Sequence, residues 1–175
     1  MAPALIATAQ PGVKLRFAQR GDAALVLAFI RELAEYEQLP HEVQADTNTL
    51  AESLFGETPG AEVVIAEVEG MPAGFALFFH NYSTFLGRRG LYLEDLFVRP
   101  AYRGKGIGRV LMTFLAKLAV ERDCGRFEWS VLDWNTPAID FYRSLGARGM
   151  DEWTGQRVTG TALHALAAQF DSAIH

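Results

Sequence analysis

The sequence predicts an α/β protein in which helices cover one mixed sheet, and three observations lead there. Strand-like and helix-like runs alternate along the chain, the first half carries hairpin signals, and half of the 175 residues are hydrophobic, ample for one core and little for two. A single domain over residues 13–175 is expected, after a ragged start over 1–12.

The elements follow in order. Residues 14–17 read as a short strand, and Asp22 is placed to cap a helix over 23–37, in which Leu25, Phe29, Ile30 and Leu33 recur at helical spacing. A second helix follows Asp46. EVVIAEVE, residues 62–69, reads as a strand that turns through Glu69-Gly70-Met71-Pro72 into another over 73–81, making a hairpin. A strand over 91–98 leads into a glycine-rich stretch, a helix over 107–122 and a strand over 127–132. Asn135-Thr136-Pro137 then opens a short helix ending before Gly146, with Pro in the first turn and Gly past the end. A strand near 156–159 and a helix from 162 complete the prediction.

Composition excludes several function classes. A net charge of −5 gives no basic face for a phosphate backbone, so no nucleic-acid partner is expected. The single cysteine, Cys124, precludes an internal disulfide and suits a reducing cytoplasm; it reads as a packed thiol rather than a nucleophile. No Lys or Arg precedes Lys14 and the apolar run before it is short, unlike a secretion signal. No segment approaches the roughly 20 apolar residues that span a bilayer, so a soluble protein with no membrane partner is expected. His41, His80, His164 and His175 stand isolated, without metal-ligand spacing, and no metal is expected.

Arg103-Gly104-Lys105-Gly106-Ile107-Gly108 is the informative stretch. Glycines between a strand and a helix let the backbone approach a ligand and aim free amides at one point, where the positive end of the helix dipole also acts. That is an anion cradle, with Arg103 and Lys105 as added charge; the spacing is neither the dinucleotide fingerprint nor the P-loop. On this feature alone, a tight turn is an equal reading.

The stretch matches the [QR]-x-x-G-x-[GA] motif of the GNAT superfamily of acetyl-CoA-dependent N-acetyltransferases, directly after LYLEDLFVRP. VLDWNTPAIDFYRSLGA, residues 131–147, and ELAEYE, residues 32–37, extend the likeness, and together they resemble the diamine acetyltransferase branch, which includes spermidine/spermine and thialysine acetyltransferases. The resemblance implies an α/β (α+β) GNAT fold, its mixed sheet mostly antiparallel with a splayed strand pair and flanked by helices, acetyl-CoA as co-substrate and a cytoplasmic homodimer. It implies direct acetyl transfer, in a ternary complex, to a small cationic amine. Two other readings stand: a protein lysine or N-terminal acetyltransferase, and an acyl-CoA-binding module without catalysis.

Site residues follow from the same resemblance. Backbone groups of Leu96, Phe97 and Val98 would pair with the pantetheine arm, and the amide of Val98 or its neighbour would point at the thioester oxygen, where negative charge grows. The amides of Gly104, Lys105, Gly106, Ile107, Gly108 and Arg109 would hold the pyrophosphate beside Arg103, with Asn135, Ala138 and Tyr142 completing the cofactor set. Tyr142 would be the general acid for the departing thiolate, against a packing role; Asn135 can cap its helix and bond pantetheine together.

An alkylamine must lose a proton to react, at roughly 4.6 kcal/mol for a pKa near 10.4 at pH 7. Glu94 and Asp95 are neighbours, so strand alternation sends them to opposite faces and only one can meet the amine. Glu94 is the base by resemblance, through a water; it reads otherwise as attracting the cation, or as an edge carboxylate paired with Arg88 or Arg89. Asp95 is expected to be structural. Tyr36 and Glu37 align with the amine pocket, although Glu32, Glu35 and Glu37 equally describe a solvated helix face. The segment from His80 to Gly87 lacks the acidic residue of polyamine-specific members, and Thr154 and Gln156 replace their downstream glutamate and tryptophan. The STFLGR and VLDWN wording is nearer to the thialysine-acetylating relatives.

Overall fold

The structure, a computed structural model, describes residues 1–172. Its backbone groups into two compact units, Met1–Ser130 and a second beginning at Val131.

The first unit holds a six-stranded sheet in the order β1 to β6. Residues 1–12 are more than a ragged start: β1 (Ile6–Ala7) pairs antiparallel with β2 (Val13–Phe17). The Thr8 hydroxyl closes the connection by donating to Val13 O at 2.7 Å. Helix α1 (Ala23–Tyr36) starts where predicted, but the Asp22 side chain does not cap it. Its carboxylate instead accepts from Arg16 Nη1 at 2.8 Å and Nη2 at 3.0 Å, while Arg16 Nε donates to Glu67 at 2.7 Å. Arg16 is 9% exposed, and a guanidinium so far from water needs both partners. That pairing holds the Asp22 carboxyl below its ordinary range.

Asp46 does cap α2 (Thr47–Phe55), accepting from the Thr49 amide at 2.7 Å. Strand β3 (Glu62–Val68) turns into β4 (Met71–Ser83) through Glu69 at φ 49° and Gly70 at φ 79°, left-handed residues that match the twist of a two-residue hairpin. Strand β5 (Arg88–Val98) pairs antiparallel with β4, and β6 (Phe127–Trp129) pairs parallel with β5 after helix α3 (Ile107–Glu121). Beneath α1 and α2 the core contains Val26, Ile65 and Phe97, with Phe29 stacked on Phe75 at 5.1 Å and 6°. Phe78 lies three residues after Phe75 and faces the other side, where Arg122 beyond α3 covers its ring and Leu111 and Leu115 are fully buried.

In the second unit, α4 (Thr136–Ser144) and α5 (Gly160–Ser172) are the regular elements. Two expectations are corrected. The strand over 127–132 stops at Trp129, because β5 bulges directly after Leu93, its last partner. No strand forms at 156–159, where Val158 alone is apolar and no alternating face exists to bury. Among the described residues no helix is long and apolar enough to cross a membrane.

Candidate active site

The ladder between β4 and β5 contains a bulge. Leu77 stands opposite Asp95 and Phe78 opposite Leu93, so Glu94 has no opposite number. The extra residue breaks the alternation expected for this pair. Leu93 stays on the α3 side with Phe78, while Asp95 moves to the α1 side with Leu77 and Phe97. Glu94 is exposed and Asp95 partly buried. Of the arginines considered as partners for Glu94, Arg88 bonds Asp123 instead, at 3.0 Å.

Beyond the bulge β5 loses a neighbour. Among the described residues β6 pairs only with Leu91, Tyr92 and Leu93, so the edge from Glu94 to Val98 is bare on that side. The pair therefore parts at Leu93, earlier than the Leu96 to Val98 segment suggested. The Arg99 amide donates to Ala73 O on β4 at 2.8 Å, which turns the Val98 carbonyl of the same peptide away from β4. In an extended strand the Val98 amide points the same way as its carbonyl, onto the bare edge.

The glycine stretch follows at once. A 3₁₀ turn over Pro100–Tyr102 leads to Gly104 at φ 77° and Gly106 at φ 76°, a left-handed geometry that side chains disfavour. Gly108 differs, being the second residue of α3. No side chain caps this helix, and its first bond runs from the Val110 amide to Gly106 O, leaving the amides of Ile107, Gly108 and Arg109 outside the ladder. Lys105 Nζ lies 5.6 Å over the Tyr102 ring.

Three carboxylates meet near the bulge. Burial, then the charges of Glu94 and Glu37, push the Asp95 carboxyl up to about 6. Burial also raises Glu37, at the end of α1. Helix α1 is thus not an evenly solvated acidic face: Glu32 is bound by Arg99 through two bonds of 2.9 and 3.0 Å, Glu37 is partly buried, and Glu35 is exposed. The expectation for Asp95 combined strand alternation with the resemblance, which turns the first residue of the pair to the amine; the bulge that breaks the alternation has no local sequence signal.

Tyr36, at the end of α1, receives a cation. The Arg103 guanidinium lies 5.0 Å from the centroid of Tyr36 and 5.6 Å from that of Phe97, and its Nε donates to Val98 O at 3.0 Å. Arg103 thus bridges the glycine stretch, the bare strand edge and the aromatic end of α1.

In the second unit Asn135 caps α4, its Oδ1 accepting from the Ala138 amide at 3.4 Å. Tyr142 lies on the last turns of α4, partly buried, and its carbonyl accepts from the Ala147 amide at 3.2 Å. With Gly146 at φ 93° donating to Arg143 O, this is the Schellman stop that Gly146 foretold. Trp129 packs on Phe127 in the first unit, whereas Trp134 is 52% exposed. No group of three or more potential metal ligands occurs among the described residues, and His175 lies outside them.

Comparison with known proteins gives this arrangement its relatives. The chain is 39% identical over 168 residues to a thialysine N-epsilon-acetyltransferase of Sus scrofa, covering 90% of this chain and 98% of the relative. It is 33% identical to an L-ornithine N5-acetyltransferase of Arabidopsis thaliana, with 87% of each chain covered. Among solved structures, an integron cassette protein from the mobile metagenome of V. cholerae superposes with a TM-score of 0.75 at 31% identity, over 89% of this chain and 98% of that one. Residues 26–147, from α1 through the end of α4, match the Acetyltransferase (GNAT) family. A family match over more than half of the chain, with relatives 33% and 39% identical along most of it, shows that the chain belongs to the Acetyltransferase (GNAT) family.

Proposed function

We propose that the protein moves the acetyl group from acetyl-CoA to the primary amine of a small cationic substrate of the thialysine or amino-acid-like kind, directly within a ternary complex. The left-handed turn at Gly104 and Gly106, opening α3 beside the bare edge of β5, carries the reading. A Cβ built on Gly104 would meet nothing within 4 Å and one on Gly106 only the end of the Gln10 side chain, at 3.4 Å; the amides up to Arg109 and the Arg103 and Lys105 charges would hold the pyrophosphate. Bound acetyl-CoA supplies an activated acetyl thioester. The edge from Leu96 through Val98 would pair with its amide-bearing arm, and the Val98 amide would donate to the oxygen on which charge develops.

The amine arrives as a cation. Glu37, Glu94 and Asp95 give it a negative site and Tyr36 an aromatic wall. Glu94, the exposed residue of the bulge, is the proposed base, working through a water. Tyr142 is the proposed acid for the thiolate, with Asn135 and Ala138 in the cofactor set. The relatives named for thialysine and ornithine support a small amine over a protein lysine or N-terminus. A cytoplasmic homodimer belongs to the same proposal, and sedimentation tests the assembly.

The deciding experiment follows free thiol release from acetyl-CoA with thialysine, ornithine, lysine, spermidine, putrescine and a lysine peptide. Saturable turnover with thialysine or ornithine, exceeding that with spermidine, is expected. Turnover with the peptide alone would overturn the substrate class, and tight acetyl-CoA binding without turnover would leave only a binding module.

A further inference from the structure

We propose that Arg103 is a positioning residue that ties the amine site to the cofactor site, its guanidinium covering the Tyr36 ring until a pyrophosphate claims its charge. The proposal rests on the two sites proposed above and adds a link between them. Three contacts hold the guanidinium: Tyr36 at 5.0 Å, Phe97 at 5.6 Å, and Val98 O, which accepts from Nε at 3.0 Å. Each has a consequence.

The face of one aromatic ring attracts one cation. An ammonium approaching Tyr36 meets a guanidinium already against that ring and is repelled by its charge, even though Glu37, Glu94 and Asp95 attract it. Val98 O, on the bare edge, is also a backbone acceptor that the pantetheine arm would use, and Arg103 Nε holds it. Arg103 directly precedes the left-handed turn at Gly104 and Gly106, so its side chain starts beside the place where phosphate oxygens would gather.

The terminal nitrogens of the guanidinium match a phosphate in bidentate fashion, a stronger partner than a ring face and a single carbonyl. A pyrophosphate in the turn would draw the guanidinium from Tyr36, or neutralise it in place. Either way the amine meets less repulsion, and Val98 O becomes available to the arm. The two ligands then bind with positive coupling, and linkage makes the effect reciprocal.

Calorimetry with thialysine and coenzyme A tests this. Coenzyme A is expected to tighten thialysine binding by about tenfold, within the usual range of coupling between sites. Pantetheine, which lacks the pyrophosphate, should tighten it by less than about twofold. Arg103→Ala should bind thialysine more tightly than the parent protein when no coenzyme A is present, and lose most of the coupling. Arg103→Gln, which keeps the side-chain length without the charge, should behave alike and guards against a folding defect in the alanine variant. A purely structural role predicts weaker thialysine binding in both variants. Coupling that survives either substitution, or equal promotion by pantetheine, overturns the proposal. If coenzyme A or thialysine fails to bind the parent protein, the substrate reading above fails instead, and the link falls with it.

Discussion

Asp95 stands opposite Leu77 on β4, on the α1 side of the sheet, because Glu94 is extruded as a bulge between it and Leu93. The carboxyl that results is partly buried, and titrates near 6 rather than at 3.8.

A raised carboxyl binds its proton more tightly in the folded chain than in the unfolded one, so its favourable contribution is full below about pH 3.8 and is lost as pH rises through about 6. Asp95→Asn, which carries no charge, should therefore be more stable than the parent at pH 8 by about 1–3 kcal/mol. The advantage should vanish below about pH 4. Urea unfolding at both pH values measures it; an equal difference at both would remove the charge as its cause.

Glu94→Gln should lower turnover at pH 7 by about 100-fold, a typical contribution for a general base. Part should return as pH rises towards 10 and the amine deprotonates unaided. A pH-rate profile reads this. Unchanged turnover at pH 7 would leave Glu94 no more than a charge near the amine.

Tyr142→Phe should reduce turnover by about 100-fold while coenzyme A binding stays within about threefold. Weakened binding with normal turnover would refute the acid role. Stopped assays and calorimetry on one preparation separate the two.

Gly74→Ala should destabilise the protein by about 2 kcal/mol or more, since a Cβ there would stand 2.5 Å from Phe97 O, a backbone atom of the facing strand. Gly106→Ala has a different defect. Its φ of 76° costs an L-residue about 1–2 kcal/mol, and a turn that relaxes to avoid this misdirects the amides of α3. Chemical denaturation should show both losses, with coenzyme A affinity falling further in Gly106→Ala than stability alone explains.

Much of this arrangement was legible before the structure. The helical spacing of Phe29, Ile30 and Leu33, the helix start after Asp46, the Asn135 cap, the Glu69-Gly70 hairpin and the Gly146 stop are local codes, each spanning a few residues, and each was read correctly. Glycine alternation before α3 located a left-handed turn at Gly104 and Gly106, and Gly108 falls within the helix expected from residue 107. What escaped was set by partners distant in sequence. Asp22 looked like a cap until Arg16 and Glu67 claimed the same network. The bulge at Glu94 reflects how β5 registers against β4, which no window of β5 alone contains. Arg103 over Tyr36 joins a loop to a helix end 67 positions earlier in the chain, since 103 − 36 = 67. Such contacts are decided by packing, after the local codes have acted.

The stretch of β5 from Glu94 to Val98 also has the character of an unguarded sheet margin. A strand with one side unmatched accepts any extended chain, and proteins ordinarily shield such margins with charge, bulges or short length. Here Glu94 supplies a charge and a bulge, and the Arg103 side chain covers the last carbonyl. A ligand laid along this margin would compete with any second extended chain for the same backbone groups, so saturating it is expected to delay self-association on storage or heating.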